Sequence, residues 1–207
     1  MKKDALVRAR ESFDIEAEAI TATKNIMDWE AIAAAVDLLV TTPLIGASGC
    51  GHSGICCMHF AHSMCCVERP ARFIYPSEAM HGAIGFLNKG DVLVLASRGG
   101  YTDELMPLME IALIREIKVI TITENIKSLM ASKSDIVIPM QVPRESDSFN
   151  SQGTSSFVAM TAIFDALQVA IMEETGYKNK QFAQIHPGGA VGKRINCSET
   201  IKINEKG

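Results

Sequence analysis

A chain of 207 residues, 47% hydrophobic and 21% charged, has the size and balance of one globular domain, which excludes a disordered, collagen-like or coiled-coil chain. The formal net charge is −4 and no basic stripe is visible, so neither nucleic acid nor an anionic membrane surface is an expected partner. The longest apolar runs reach roughly six residues against the ~18–20 of a membrane span, and Met1-Lys2-Lys3-Asp4 opens no secretory signal, so a cytoplasmic protein is expected.

In chain order, residues 1–42 read as helices. Leu6, Phe13 and Ile20 recur every seven residues, and a second pattern follows a cap at Asp28 through Trp29, Ile32, Val36 and Leu39. From 43 to 176 short apolar runs alternate with helical segments. The runs are 44–47, 73–75, 92–96, 119–122 and 136–140, β-branched or aromatic and continuous, as in strands buried on both faces. Segments 53–67, 102–116 and 124–132 fit crossover helices. The fold expected is therefore α/β: a three-layer α/β/α sandwich around a five-stranded, parallel, doubly wound sheet. A polar loop at 141–153 precedes a long helix from Thr154 to about Thr175, and 177–207 form a tail. The six cysteines include the adjacent pairs Cys56-Cys57 and Cys65-Cys66 and read as reduced, small core residues rather than a disulfide framework. Cys56, His59, His62 and Cys65 are spaced three apart, which spreads them around a helix instead of converging them on one ion.

In such a sheet ligands bind at the carboxyl ends of the strands. After the first run comes Ser48-Gly49-Cys50-Gly51-His52-Ser53-Gly54, a strand-to-helix turn able to present amides and hydroxyls to an anion. It is neither a Walker loop nor a dinucleotide fingerprint. After the third run comes Ser97-Arg98-Gly99-Gly100-Tyr101-Thr102-Asp103-Glu104, with Thr102 read as a helix cap and Ser97 and Arg98 as anion ligands. Thr154-Ser155-Ser156 is a third hydroxyl cluster at a helix start; ordinary capping remains its alternative reading.

These features resemble the sugar isomerase (SIS) phosphosugar-binding domain. The tail His186-Pro187-Gly188-Gly189-Ala190-Val191-Gly192-Lys193-Arg194 is similar to the HPGGALGR/K stretch of the arabinose 5-phosphate isomerase family (the KpsF/GutQ type). Tyr75-Pro76-Ser77-Glu78-Ala79-Met80-His81-Gly82-Ala83-Ile84-Gly85 resembles its HPxEAxHGDLG segment, and the spacing from Glu145 to Thr154 its KEAxPxxxxPTSS element. The resemblance implies a flavodoxin-like SIS fold over 1–207 and aldose–ketose isomerisation of a sugar phosphate, arabinose 5-phosphate to ribulose 5-phosphate, without an organic cofactor. It places Ser53, Ser97, Thr102, Thr154, Ser155 and Ser156 on the phosphate, and Glu145, His186 and His81 among the catalytic groups; Arg98 as a further phosphate ligand and His52 as a catalytic group are read from their own chemistry at positions that depart from the family. Glu145 would be the base, His186 would serve proton transfer or ring opening, and His81 and His52 would polarise oxygens. Two stretches depart from the family pattern. Gly51-His52-Ser53 stands for Gly-Lys-Ser, and Ser97-Arg98-Gly99-Gly100-Tyr101-Thr102 for Ser-Asn-Ser-Gly-Glu-Thr/Ser. The changes at His52 and Tyr101 bear on activity, so another sugar phosphate such as a hexulose 6-phosphate, or a non-catalytic phosphosugar sensor, stay as alternatives. No metal is required; one held by His52, His81 and His186 is the alternative. The family carries its sites between subunits, which implies a homotetramer or dimer with the N-terminal helix at the contact. Many members carry a C-terminal CBS pair; the chain reaches only Gly207, so control through such modules is not expected.

Overall fold

A computed structural model describes residues 3–190 and 192–194. Two helices open the chain, α1 (Lys3–Asn25) and α2 (Trp29–Thr41). Asp28 starts α2, its Oδ1 accepting from the amides of Glu30 and Ala31. The α/β unit follows as β1 (Ile45–Gly49), α3 (Gly51–Cys66), β2 (Ala71–Phe73), the short α4 (Pro76–Ala79), β3 (Val92–Ala96), α5 (Met106–Ile114), β4 (Lys118–Thr123), α6 (Leu129–Lys133), β5 (Ile136–Pro139), α7 (Ser155–Thr175) and α8 (Asn179–Ile185). The five strands form one parallel sheet in the order β2-β1-β3-β4-β5.

Side chains leave a strand on alternate faces, and this sheet sorts them cleanly. Ile45, Ala47, Val92, Val94, Ala96, Ile120 and Ile122 join one core with α2, α3 and α7. Leu93, Leu95 and Val119 join the other with Leu105, Leu108, Met109 and Met130 of the α5–α6 side. Both faces are covered, which is why the strands read as continuous apolar runs. α7 has the length and composition of a membrane span, yet Ala159, Met160, Ile163, Phe164, Leu167 and Ile171 pack into the first core. Phe60 of α3 stacks on Phe164, ring centroids 4.6 Å apart.

Three expectations shift. The second strand lies at 71–73 rather than 73–75, because its ladder pairs Ala71 with Ile45 and Phe73 with Ala47, and Pro76 already begins a helix. Leu6, Phe13 and Ile20 do not face the core: they are exposed, Phe13 by 77%, while Ile15, Ala19 and Thr23 are buried. Of the cysteines, Cys56 and Cys57 are buried core residues, whereas Cys65 is exposed; all five described thiols are free.

Candidate active site at the carboxyl edge of the sheet

The strand order turns back on itself between β1 and β3, so the crevice above their carboxyl ends is where a ligand is expected. The β1 turn is set by two glycines in contact. A Cβ on Gly54 would stand 2.5 Å from the Gly49 carbonyl oxygen, and one on Gly49 would stand 2.9 Å from the Gly54 nitrogen. This closeness drops the first turn of α3 directly onto the strand end, with Ser53 half-buried and His52 exposed beside it. The His52 ring lies against Gly153, where a Cβ would come within 2.9 Å of it, and edge-on to Phe157 at 6.1 Å. The turns before α3 and α7 therefore meet at His52.

The β3 turn is built differently from its sequence reading. Thr102 does not cap α5, which begins four residues later at Met106. Its carbonyl instead accepts from the amides of Leu105 and Met106, and its Oγ1 lies 2.9 Å from Ser97 Oγ. Ser97 and Thr102 thus form one hydroxyl pair. Tyr101 is exposed, and the neighbouring Asp103 carboxylate raises its phenol by hydrogen bonding and charge, which makes it no base.

Arg98 and Glu145 are found on each other. The Arg98 Nη1 donates to Glu145 Oε1 at 2.6 Å, its Nε to Glu124 Oε2 at 2.7 Å, and its Nη2 to the Val142 carbonyl at 3.3 Å. The guanidinium expected as a phosphate ligand is thus held between two carboxylates. The Glu145 side chain is 3% exposed, and its Oε2 accepts from the Thr154 amide at 2.9 Å, Thr154 Oγ1 at 3.2 Å and the Ser156 amide at 3.1 Å. Burial pushes this carboxyl up, but the Ser156 and Thr154 hydrogen bonds and the Arg98 charge outweigh it and hold it below the ordinary carboxylate value. The expected free base is instead an anion that satisfies the opening amides of α7. Ser155 is fully buried and its Oγ has no partner among the described residues. Glu124, which the sequence reading missed, ends the β4 segment; its Oε1 accepts from the Val142 amide at 2.9 Å. A carboxylate immediately after a strand was the available signal.

His81 follows α4 on the β2 side, its amide donating to the Glu78 carbonyl and its side chain exposed. His186 is not at this crevice within the chain. It stacks on Phe182 at 4.0 Å beyond α8, which is anchored through Tyr177 Oη to the Cys66 carbonyl and Gln181 to Glu68 at the far end of α3. Fourteen residue steps of helix separate Cys66 from His52, about 21 Å at 1.5 Å per residue. Among the described residues no three His, Cys, Asp or Glu groups are placed to hold a metal, so the triad His52, His81 and His186 is not assembled. Val191 of the tail motif and residues 195–207 lie outside the described residues. An open groove of about 520 Å³ is lined by Arg98, Gly99, Glu124 and Asn125. A roomier one of about 670 Å³ runs along β5 past Ile26, Ile126 and Met140, away from the glycine turns; chemistry favours the former side.

Glycine-rich, hydroxyl-bearing turns thus flank the switch point of a 2-1-3-4-5 sheet, the place of a ligand site in an open parallel α/β domain. The chain belongs to the SIS domain family, which matches residues 45–170. It is 32% identical over 191 residues to the arabinose 5-phosphate isomerase KdsD of Francisella tularensis; the match covers 90% of this chain and spans 58% of that relative's length. Among solved structures, a Listeria monocytogenes protein assigned by inference to the sugar-phosphate isomerases superposes with a TM-score of 0.86 at 38% identity, covering 91% of this chain and all of that one. An Escherichia coli CFT073 protein in complex with A5P superposes at 0.80 over 90% of this chain and 100% of that one; at 23% identity it bears on the fold alone.

Proposed function

We propose that the chain is a sugar-phosphate isomerase that interconverts an aldose phosphate and its 2-ketose, with arabinose 5-phosphate and ribulose 5-phosphate the pair it serves. The observation that carries this reading is the meeting of three hydroxyl-bearing turns, at Ser53, at Ser97–Thr102 and at Thr154–Ser156, on the carboxyl edge of one parallel sheet. The Francisella relative's name supports the substrate pair. In this reading the amides at the start of α3 and the hydroxyls of Ser53, Ser97, Thr102 and Ser155 hold the phosphate and sugar oxygens. A base takes the proton from C2 of the aldose, the electron pair shifts to the polarised carbonyl oxygen as an enediolate, and the proton returns at C1. No electrons leave the sugar, so no organic cofactor is called for.

With both Glu145 oxygens engaged, proton transfer falls to His52, the exposed imidazole between the β1 and α7 turns, and His81 keeps the role of polarising oxygens. His186 reaches a crevice only from a second copy. The stripe Leu6, Phe13 and Ile20, left exposed on α1, offers the surface for a dimer or tetramer. We read 1–207 as one SIS unit working in the cytoplasm, where free thiols such as these stay reduced.

Incubation in deuterated water with a panel of aldose and ketose phosphates tests the proposal. Solvent deuterium should enter C1 or C2 of the pentose phosphates. Exchange confined to a hexulose 6-phosphate would move the substrate, and thermal stabilisation without exchange would make the chain a phosphosugar sensor. His52→Asn should lower exchange by about 10²–10⁴-fold while leaving binding within a few fold.

A further inference from the structure

The β3 turn, the end of β4 and the loop before α7 are joined at one side chain. Arg98 reaches Glu124 after β4 and Glu145 in the 141–154 loop, and its carbonyl accepts from the Glu124 amide at 3.0 Å and Thr123 Oγ1 at 3.1 Å. Glu145 in turn receives the Arg98 cation on one oxygen and three α7-end donors on the other. Its own amide donates to Asn150 Oδ1 at 2.7 Å, which fixes the loop behind it. A carboxylate has about four acceptor positions, two on each oxygen; Oε2 is crowded by three donors, and Oε1 is held by the Arg98 cation. Proton abstraction from a sugar carbon would have to use the one position left on Oε1, against the guanidinium, on a side chain that is 3% exposed.

Resting on the reading of the crevice as a sugar-phosphate site, we infer that Arg98 and Glu145 are positioning residues: a cation–carboxylate brace, seconded by Glu124, that fixes the hydroxyls of the β3 and α7 turns relative to each other. Arg98 then binds no phosphate, and Glu145 moves no proton. The brace is particular to this chain's sequence, since an asparagine at 98, as in the family pattern quoted above, cannot form a cation–carboxylate pair. Breaking one half leaves a buried charge without its partner, which disturbs the site more than removing both.

A double-mutant cycle separates this from a catalytic carboxylate. Arg98→Met, Glu145→Gln and the double variant are compared for deuterium exchange, split into kcat and KM, and for arabinose 5-phosphate binding by calorimetry, with circular dichroism as the folding check. A positioning brace predicts that each single variant raises KM and Kd about tenfold or more, and that the double variant, which leaves only the part-exposed Glu124 without its cation and no buried charge unpaired, recovers both to within a few fold. Glu145 as the base predicts a different pattern. Glu145→Gln would then lose exchange by about 10³-fold at unchanged Kd, and the double variant would be equally inactive; that result overturns the proposal. If a single variant fails to fold, the double variant alone decides, by recovered or abolished exchange. If the wild type exchanges no sugar, the isomerase reading fails separately, and the Kd values still judge the brace: recovery in the double variant supports it, and unchanged Kd in the singles overturns it.

Discussion

Replacing Gly54 with alanine is the most direct physical probe of the β1 turn. The new methyl would sit 2.5 Å from the Gly49 carbonyl oxygen and 3.1 Å from its carbon. That neighbour is backbone in β1, clamped by ladders to β2 and β3 on either side, so the helix rather than the strand must move. Overpacking of this sort costs about 1–3 kcal/mol, while alanine regains about 0.5–1 kcal/mol over glycine within a helix. The net loss is about 0.5–2 kcal/mol, a fall in Tm of roughly 1–8 °C for a chain this long. The displacement also carries Ser53 and the first amides of α3 away from the crevice, so the added stabilisation by arabinose 5-phosphate should shrink well below that of the wild type. Scanning calorimetry with and without the ligand measures both. Gly85→Ala, whose methyl would meet nothing within 4 Å, is the control and should change little. An unchanged Tm together with an unchanged ligand shift in Gly54→Ala would refute the claim that glycine contact sets the turn.

Ser97→Ala removes half of the 2.9 Å hydroxyl pair at a buried position and should cost about 0.5–1.5 kcal/mol of stability and weaken phosphosugar binding measured by calorimetry. Phe60→Ala removes a fully buried ring stacked on Phe164 and should destabilise by about 3–5 kcal/mol in urea unfolding, without a specific effect on KM. The Glu145 carboxyl is held below its unfolded value, so its contribution is complete above about pH 4.5 and drains away as pH falls through the lower folded value. The stability gap between wild type and Glu145→Gln should therefore narrow between pH 5 and pH 3, and a gap constant over that range would remove the ionised carboxylate from the argument.

The architecture was legible because its signals are local and periodic. Val92–Ala96 reads as a strand buried on both faces from five consecutive apolar residues, and it is one, with alternate side chains in two different cores. The misplacement of β2 has a physical cause: Ala71-Arg72-Phe73 is half-exposed at the sheet edge and carries no continuous apolar run, while the more apolar Phe73–Tyr75 runs past the ladder toward Pro76. The heptad of Leu6, Phe13 and Ile20 announced a helix correctly but not which way it faces. The buried face of α1 is lined instead by Ile15, Ala19 and Thr23, and Thr23 exchanges hydrogen bonds with the backbone of Gln141, more than a hundred residues away.

The site divides along the same line. Turns were readable, since Gly49 and Gly54 and the hydroxyls near them act within a few residues of one another. Partnerships were not, because Arg98 meets carboxylates 26 and 47 residues away, and nothing in a sequence says which acid a strand-end arginine will face. That difference decides where phosphate can sit. A guanidinium between two carboxylates presents a local net charge of −1, and at about 4 Å a pair of unit charges near a protein surface interacts by about 4 kcal/mol. A phosphate dianion brought to that cluster meets repulsion that the single arginine cannot cancel. The amide ends of α3 and α7 carry partial positive charge, and Glu145 already covers that of α7. Under the proposed function, the electrostatics therefore turn the phosphate toward the α3 turn at Ser53 and leave the sugar end to face His52 and the braced loop.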